Sequence, residues 1–187
     1  MKKTKKNSDK GLIAKIKEGD TLAFQQFVNQ HKDVSFSLAY SILKDKHWAE
    51  DVLQETFIKV YRRINSYKGR SEVSTWLYRI VVNTCFSVIR REKRYTDYSN
   101  DYELEAVVPK DFSQKEKAEV INKALDFLKV EESLVLKLFY LSELSVKEIK
   151  EITKFKESKI KVTLHRGRKS LEEVLGKMLG KEIKSLL

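Results

Sequence analysis

The sequence predicts an all-α protein of two small helical domains joined by a flexible acidic linker. Three observations carry that prediction. A single proline, Pro109, and six glycines in 187 residues leave little to break helices. Apolar residues recur at spacings of three, four and seven, with few runs that alternate in period two. The helical period stops once, between Tyr95 and Ser113, where Asp97, Asp101, Glu103 and Glu105 accumulate before Lys110. The divisions are therefore 1–94, a linker over 95–113, and 114–187, and the length suffices for two small cores.

The first helix carries Leu12, Ile13 and Ile16 and ends at Gly19, which can take the left-handed conformation. A long second helix starts near Thr21, with Phe24, Phe27, Val28, His31, Leu38, Ala39, Ile42 and Leu43 on its buried stripe. Lys44-Asp45-Lys46 breaks it. Trp48, Val52, Thr56, Phe57, Val60, Tyr61 and Ile64 form the stripe of the next helix. Trp76, Leu77, Ile80, Val81, Thr84 and Val88 form the stripe after the turn. In the second half, Ser113 and Glu116 have capping-box spacing before a face of Ala118, Ile121, Ala124, Leu125 and Leu128. Leu134 to Leu141 reads as a central buried helix. Ser145 and Glu148 repeat the capping box ahead of Ile149 and Ile152, and a last helix from about Glu157 turns Ile160, Leu164, Leu171 and Leu175 inward.

Charge narrows the function classes. With 38 Lys and Arg against 27 Asp and Glu the chain carries +11, which favours polyanionic partners. No apolar run approaches the ~20 residues that span a bilayer, and Lys2, Lys3, Lys5 and Lys6 precede no signal-like apolar region, so a soluble cytoplasmic protein without membrane insertion is expected. The lone Cys85 cannot form an intrachain disulfide and sits among apolar residues as a core side chain would. His31, His47 and His165 are dispersed, no second cysteine accompanies them, and phosphate loops and nucleophile elbows are missing from the glycines. No metal, no cofactor and no catalytic set are expected.

Two basic segments remain. Between Lys154 and Lys169 there are seven Lys/Arg against one Asp/Glu, on the second of two helices separated by a tight break. Ile160 and Leu164 would dock such a helix while Lys161, His165 and Arg166 reach phosphates and base edges, as in a helix-turn-helix; the alternative is a solvated lysine-rich helix. Between Arg62 and Arg94 there are nine Lys/Arg against two Asp/Glu, interleaved with Tyr67, Trp76 and Tyr78. Cations beside aromatic faces suit single-stranded bases, although Trp76 also lies on the apolar stripe and reads as core ahead of stacking platform. Asn83 either bonds its own backbone or reads a base. Asp51 and Glu55, one helical turn apart, put paired carboxylates on one face with Gln54, without the partner groups that catalysis would need.

The segments Asp51-Val-Leu-Gln-Glu-Thr-Phe57, Lys68-Gly-Arg-Ser71 and Thr75-Trp-Leu-Tyr-Arg-Ile-Val-Val-Asn-Thr84 together resemble the second region of the bacterial sigma-70 family, in its extracytoplasmic function (ECF) group. Leu144-Ser-Val-Lys-Glu-Ile149 and Leu164-His-Arg-Gly-Arg-Lys169 resemble the fourth region. The resemblance implies a sigma factor that binds core RNA polymerase through its β′ and β subunits, directs it to promoters and assists melting. It implies that Asp51, Gln54, Glu55 and Phe57 bind polymerase, with the acidic helix on the β′ clamp helices. Lys68, Arg70, Trp76, Tyr78, Arg79, Asn83, Arg90 and Arg91 would hold the minus-10 element, with Asn83 matching an asparagine that holds a flipped base. Ser158, Lys159, Lys161, Val162, His165, Arg166 and Lys169 would contact the minus-35 duplex.

An anti-sigma factor is a further partner that the resemblance implies. Two departures stand out: Lys154 occupies a turn position where the family has glycine, and Lys150 one where it has alanine. A lysine at positive φ would be strained. A helix-turn-helix regulator acting at an operator without polymerase explains the second half equally well and leaves the first unexplained.

Overall fold

The computed structural model describes residues 11–92 and 114–179, and among them every regular element is helical. The expected linker, the N-terminal lysines and Ser113 lie outside the described residues. Helix α1 (11–17) is followed by α2 (Thr21–Leu43), α3 (Lys46–Arg63), a 3₁₀ turn (Ile64–Ser66) and α4 (Val73–Glu92). The second half holds α5 (Gln114–Asp126), α6 (Val130–Leu136) running into a π turn (Lys137–Leu141), α7 (Val146–Thr153) and α8 (Glu157–Leu179).

Local chemistry explains the breaks. Asp20 caps α2 by accepting from the Ala23 N–H at 2.9 Å, and Asp45 caps α3 by accepting from the Trp48 N–H at 2.8 Å. Between them Lys44 adopts a left-handed conformation at φ 55° and donates its own N–H to the Tyr40 carbonyl. The three-residue break read from Lys44-Asp45-Lys46 is thus a C-cap joined directly to an N-cap. In α7, Ser145 and Glu148 form the expected reciprocal capping box.

Helices α2, α3 and α4 pack pairwise around Phe27, Leu38, Val52, Val60, Leu77 and Val81, all essentially without exposure. Burying each such side chain contributes on the order of 1.5–3 kcal/mol. Cys85 lies in this core, where burial pushes its thiol up to about 12. In the second half α8 crosses α6 at Gly167, where an added Cβ would meet Leu136 Cδ1 at 3.0 Å. Glycine is what permits that approach.

Two expectations there need correction. On α5 Ala118 is exposed and Val120 is buried instead, because Val120 and Ala124 close a separate cluster with Leu175, Met178 and Leu179 at the end of α8. The segment Leu134–Leu141 is not one buried helix. Its wider π turn, closed by the Ser142 N–H on the Lys137 carbonyl at 3.0 Å, carries Tyr140 and Leu141 out to solvent.

The apolar core runs on from one half to the other, with α2 against α5 and α6 and α4 against α7. At this seam Lys137, 1% exposed, donates to Asp126 Oδ1 at 2.7 Å and to the Ser37 carbonyl on α2 at 3.1 Å. In the opposite direction Lys44 donates to the carbonyls of Asp126 and Leu128. Two lysines therefore cross the seam and converge on Asp126. Burial lowers both ammonium pKa values against the opposing pull of Asp126, and Lys44 falls to about 8 with a smaller contribution from Lys137.

The sign of that shift gives a pH prediction. An unfolded Lys44 titrates at 10.5 and the folded one near 8, so between these values the unfolded chain binds more protons. Stability contributed by Lys44 is lowest below pH 8 and rises as pH climbs from about 8 toward 10.5. Urea unfolding of the wild type and of Lys44→Gly across this window isolates the effect, and parallel pH profiles would rule it out.

Candidate nucleic-acid and polymerase interfaces

Helix α3 presents Asp51, Gln54 and Glu55 to solvent on one face. Glu55 is steadied by Lys59, which contacts it at 2.7 Å and donates to Thr84 Oγ1 on α4 at 3.1 Å. Lys59, which the sequence reading passed over, thus ties the acidic face to the neighbouring helix; the Glu55/Lys59 spacing of four was its available signal. Phe57 is not on this face. It lies on the buried stripe with Val52, Thr56 and Val60, its ring 6.4 Å from that of Phe27. The exposed apolar residue of the face is Ile58, 52% accessible and seven residues after Asp51.

The Lys68-Gly69-Arg70 turn is built by its flanks. Gly69 stands at φ 68°, a conformation that favours glycine. Tyr67 holds the turn from both ends, with its ring 5.3 Å from Trp76 and its hydroxyl donating to the Ser71 carbonyl at 2.6 Å. Lys17 donates to the Tyr67 carbonyl at 2.8 Å. Lys68 and Arg70 are left projecting into solvent.

On α4 the predicted set divides. Asn83, Arg90 and Arg91 are exposed, and Arg91 lies 5.9 Å above the Trp48 ring. Trp76 is half-buried against the core, so it is a structural side chain with one partly open face. Tyr78 does not reach the surface; it is buried beside His31, because it points to the opposite side of α4 from Asn83. Arg79 makes a 2.8 Å ion pair with Glu151 of α7, and Thr75 lies 3.4 Å from Glu148.

The second basic segment forms a helix-turn-helix from α7 and α8. Ile160 and Leu164 are buried, whereas Ser158, Lys159, Lys161, Val162, His165, Arg166 and Lys169 are all exposed. Val162, 49% accessible, sits among the cations. Lys159 is engaged within its own half, 2.6 Å from Glu131 and 4.0 Å above the Phe155 ring. Lys154 takes the left-handed conformation at φ 63° and donates its N–H to the Lys150 carbonyl, so the turn keeps a glycine-like geometry without glycine. Lys150 points outward and pairs with Glu157 at 3.3 Å across the same turn.

Residues 27–95 match the family model of sigma-70 region 2. The chain is 34% identical over 178 residues to the ECF RNA polymerase sigma factor SigW of Bacillus subtilis (strain 168), covering 87% of this chain and 94% of the relative. The chain belongs to the ECF RNA polymerase sigma factors. SigM of the same organism is 32% identical over 162 residues, covering 85% of this chain and 96% of the relative. Among solved structures, the sigma factor RpoE from Bartonella quintana, in complex with the anti-sigma factor NepR, shares the fold with a TM-score of 0.65 at 22% identity, over 81% of this chain and 96% of that one. CnrH, in complex with the cytosolic domain of CnrY, gives 0.62 at 19% identity, over 91% and 98%.

As an ECF sigma factor the chain directs RNA polymerase to promoters. An operator-binding regulator independent of polymerase is not favoured, since the likeness to SigW and SigM runs through both halves. No described helix is long and apolar enough to cross a membrane, and no group of three or more His, Cys, Asp or Glu that could hold a metal occurs among the described residues.

Proposed function

We propose that the two halves are separate working domains, 1–94 and 114–187, and that each surface described above carries one task of initiation. The α3 face of Asp51, Gln54, Glu55 and Ile58 binds the β′ subunit of core polymerase. An exposed isoleucine one turn beyond Glu55 suits a protein partner, and the negative charge of Asp51 and Glu55 would repel DNA. The Gly69 turn with Lys68 and Arg70, the open face of Trp76, and Arg79, Asn83, Arg90 and Arg91 on α4 hold the separated non-template strand of the minus-10 element. The exposed face of α8 reads the minus-35 duplex.

The observation that carries this reading is a local patch: Asp51, Gln54, Glu55 and Ile58 share one exposed face of α3, whereas Lys68 and Arg70 project from the turn, Asn83, Arg90 and Arg91 from α4, and Lys161, Arg166 and Lys169 from α8. The chain acts in the cytoplasm and without catalysis, leaving phosphodiester synthesis to the polymerase. An anti-sigma factor is a further partner, a reading supported by the complex of RpoE with the anti-sigma factor NepR.

Asn83 gives the residue-level test. Its amide is exposed on α4, and truncation removes no core contact. Asn83→Ala lowers the yield of open complex by roughly tenfold, equivalent to about 1.4 kcal/mol, and leaves polymerase affinity unchanged. Permanganate footprinting of the melted bubble at a promoter recognised by the wild type measures this. Unchanged melting by the variant would remove Asn83 from the minus-10 contacts.

A further inference from the structure

Three aromatic side chains are exposed among the described residues of the first half, and two of them are engaged. Tyr61 packs edge-on against Phe24 at 4.9 Å, and Trp48 lies under Arg91 at 5.9 Å. Phe86 on α4, 36% exposed, has neither a ring nor a cation over it among the described residues. Singly exposed apolar side chains are common, so exposure alone decides nothing. The place of Phe86 does, because it stands between an amide and a guanidinium.

We propose that Phe86 is a stacking platform for a base of the separated non-template strand, next to the base taken by Asn83. Asn83, Phe86 and Arg90 follow one another at spacings of three and four along one exposed stripe of α4. Ser87 shares that stripe but turns back, its hydroxyl donating to the Asn83 carbonyl at 2.8 Å. Arg90 leans the same way, with Nη2 donating to Ser87 Oγ at 3.4 Å. The ring of Phe86 is therefore what projects between them. The stripe offers in order an amide for a base edge, a ring for a base face and a guanidinium for a phosphate.

The spacing says what form of strand fits. At ~1.5 Å per residue the three groups are about 4.5 and 6 Å apart along the helix axis. A stacked strand advances only ~3.4 Å per nucleotide, so a strand laid along this stripe at one nucleotide per turn must be unstacked. Strand separation and capture of one base by Asn83 produce that state. The neighbouring base then loses a stacking face, and Phe86 supplies a replacement that tolerates any base. Asn83 selects, and Phe86 retains. This inference rests on the assignment of α4 to the minus-10 strand and names a second contact on the same face.

The test uses the full chain assembled with core polymerase. The probe is the labelled non-template strand of a promoter that the wild type melts, with abasic nucleotides placed one at a time across the melted segment. In the wild type, removing the base that stacks on Phe86 weakens binding about tenfold, and Phe86→Ala weakens binding of the intact strand by about the same factor. The two losses do not add, because each removes the same contact. Phe86→Trp binds at least as well as the wild type. Phe86→Leu keeps apolar bulk without a π-face and loses affinity as alanine does, whereas a packing role would tolerate leucine and reject tryptophan.

Asn83→Ala is scanned against the same abasic strands. The base coupled to Phe86 is expected beside the base coupled to Asn83. If Asn83 couples to a base and Phe86 to none, the stacking platform is overturned and the reading of α4 stands. If neither couples to any base, the assignment of α4 to the strand fails as well. Leucine that binds as tightly as phenylalanine would overturn stacking on its own.

Discussion

Asp126→Ala destabilises the folded chain by roughly 3–5 kcal/mol, the range for stripping one partner from a buried ion pair. The effect is asymmetric. Lys137 is 1% exposed and Asp126 27%, so loss of the carboxylate strands a cation away from water, while loss of the lysine leaves a carboxylate that water reaches. Lys137→Met, which keeps the length of the buried stem, is therefore much the milder change. The double variant Asp126→Ala/Lys137→Met recovers most of the loss, since the deeply buried cation is gone and only the partly exposed Lys44 loses the opposing pull of Asp126. Urea unfolding of the four proteins measures the cycle. An Asp126→Ala cost below about 1 kcal/mol, or a Lys137→Met cost equal to it, would contradict the account.

The second large effect falls on α8. Arg166 is exposed on the proposed reading face and makes no ion pair among the described residues, whereas Lys159 is already held by Glu131 and Phe155. Arg166→Ala lowers affinity for the minus-35 duplex by about 10- to 100-fold, equivalent to ~1–3 kcal/mol, and relaxes preference at one base pair. Lys159→Ala changes affinity several-fold less. Binding to a library of minus-35 duplexes by the isolated variants, at fixed salt, separates the two. Equal losses would mean that Lys159 exchanges Glu131 for DNA and that the contacts seen here do not restrain it.

Much of this fold was legible because local chemistry and tertiary packing agree. The stripe from Phe27 to Ile42, the break at Lys44 and the Ser145–Glu148 box follow from spacing and capping, and the helices end where those signals end. The surface of α8 was legible for the same reason, since burying Ile160 and Leu164 forces the cations outward. Phe57 and Tyr78 show where motif and period conflict. Each stands within a segment tied to a surface role, yet packing gave Phe57 to Phe27 and Tyr78 to His31. At those positions periodicity outweighs the motif.

The seam between the halves could not be read from the chain. Lys137 sits in the apolar stretch Leu134–Leu141, and only three-dimensional proximity to Asp126 and Ser37 explains a buried cation there. Val120 joins its cluster through residues more than fifty positions away. Lys154 departs from a glycine pattern and still adopts φ 63°, because a capped α7 and a docked α8 over-determine the turn.

The most direct test of the central claim is the affinity of the purified chain for sigma-free bacterial core RNA polymerase, compared with Asp51→Arg/Glu55→Arg. It needs no knowledge of the promoter, and both residues are exposed, so the fold is spared. The account predicts tight binding by the wild type and a loss of at least about a hundredfold in the double variant, as expected when like charge is forced onto a complementary surface. A folded wild-type chain that does not bind core polymerase would contradict the assigned function, and undiminished binding by the double variant would remove the α3 face from the interface.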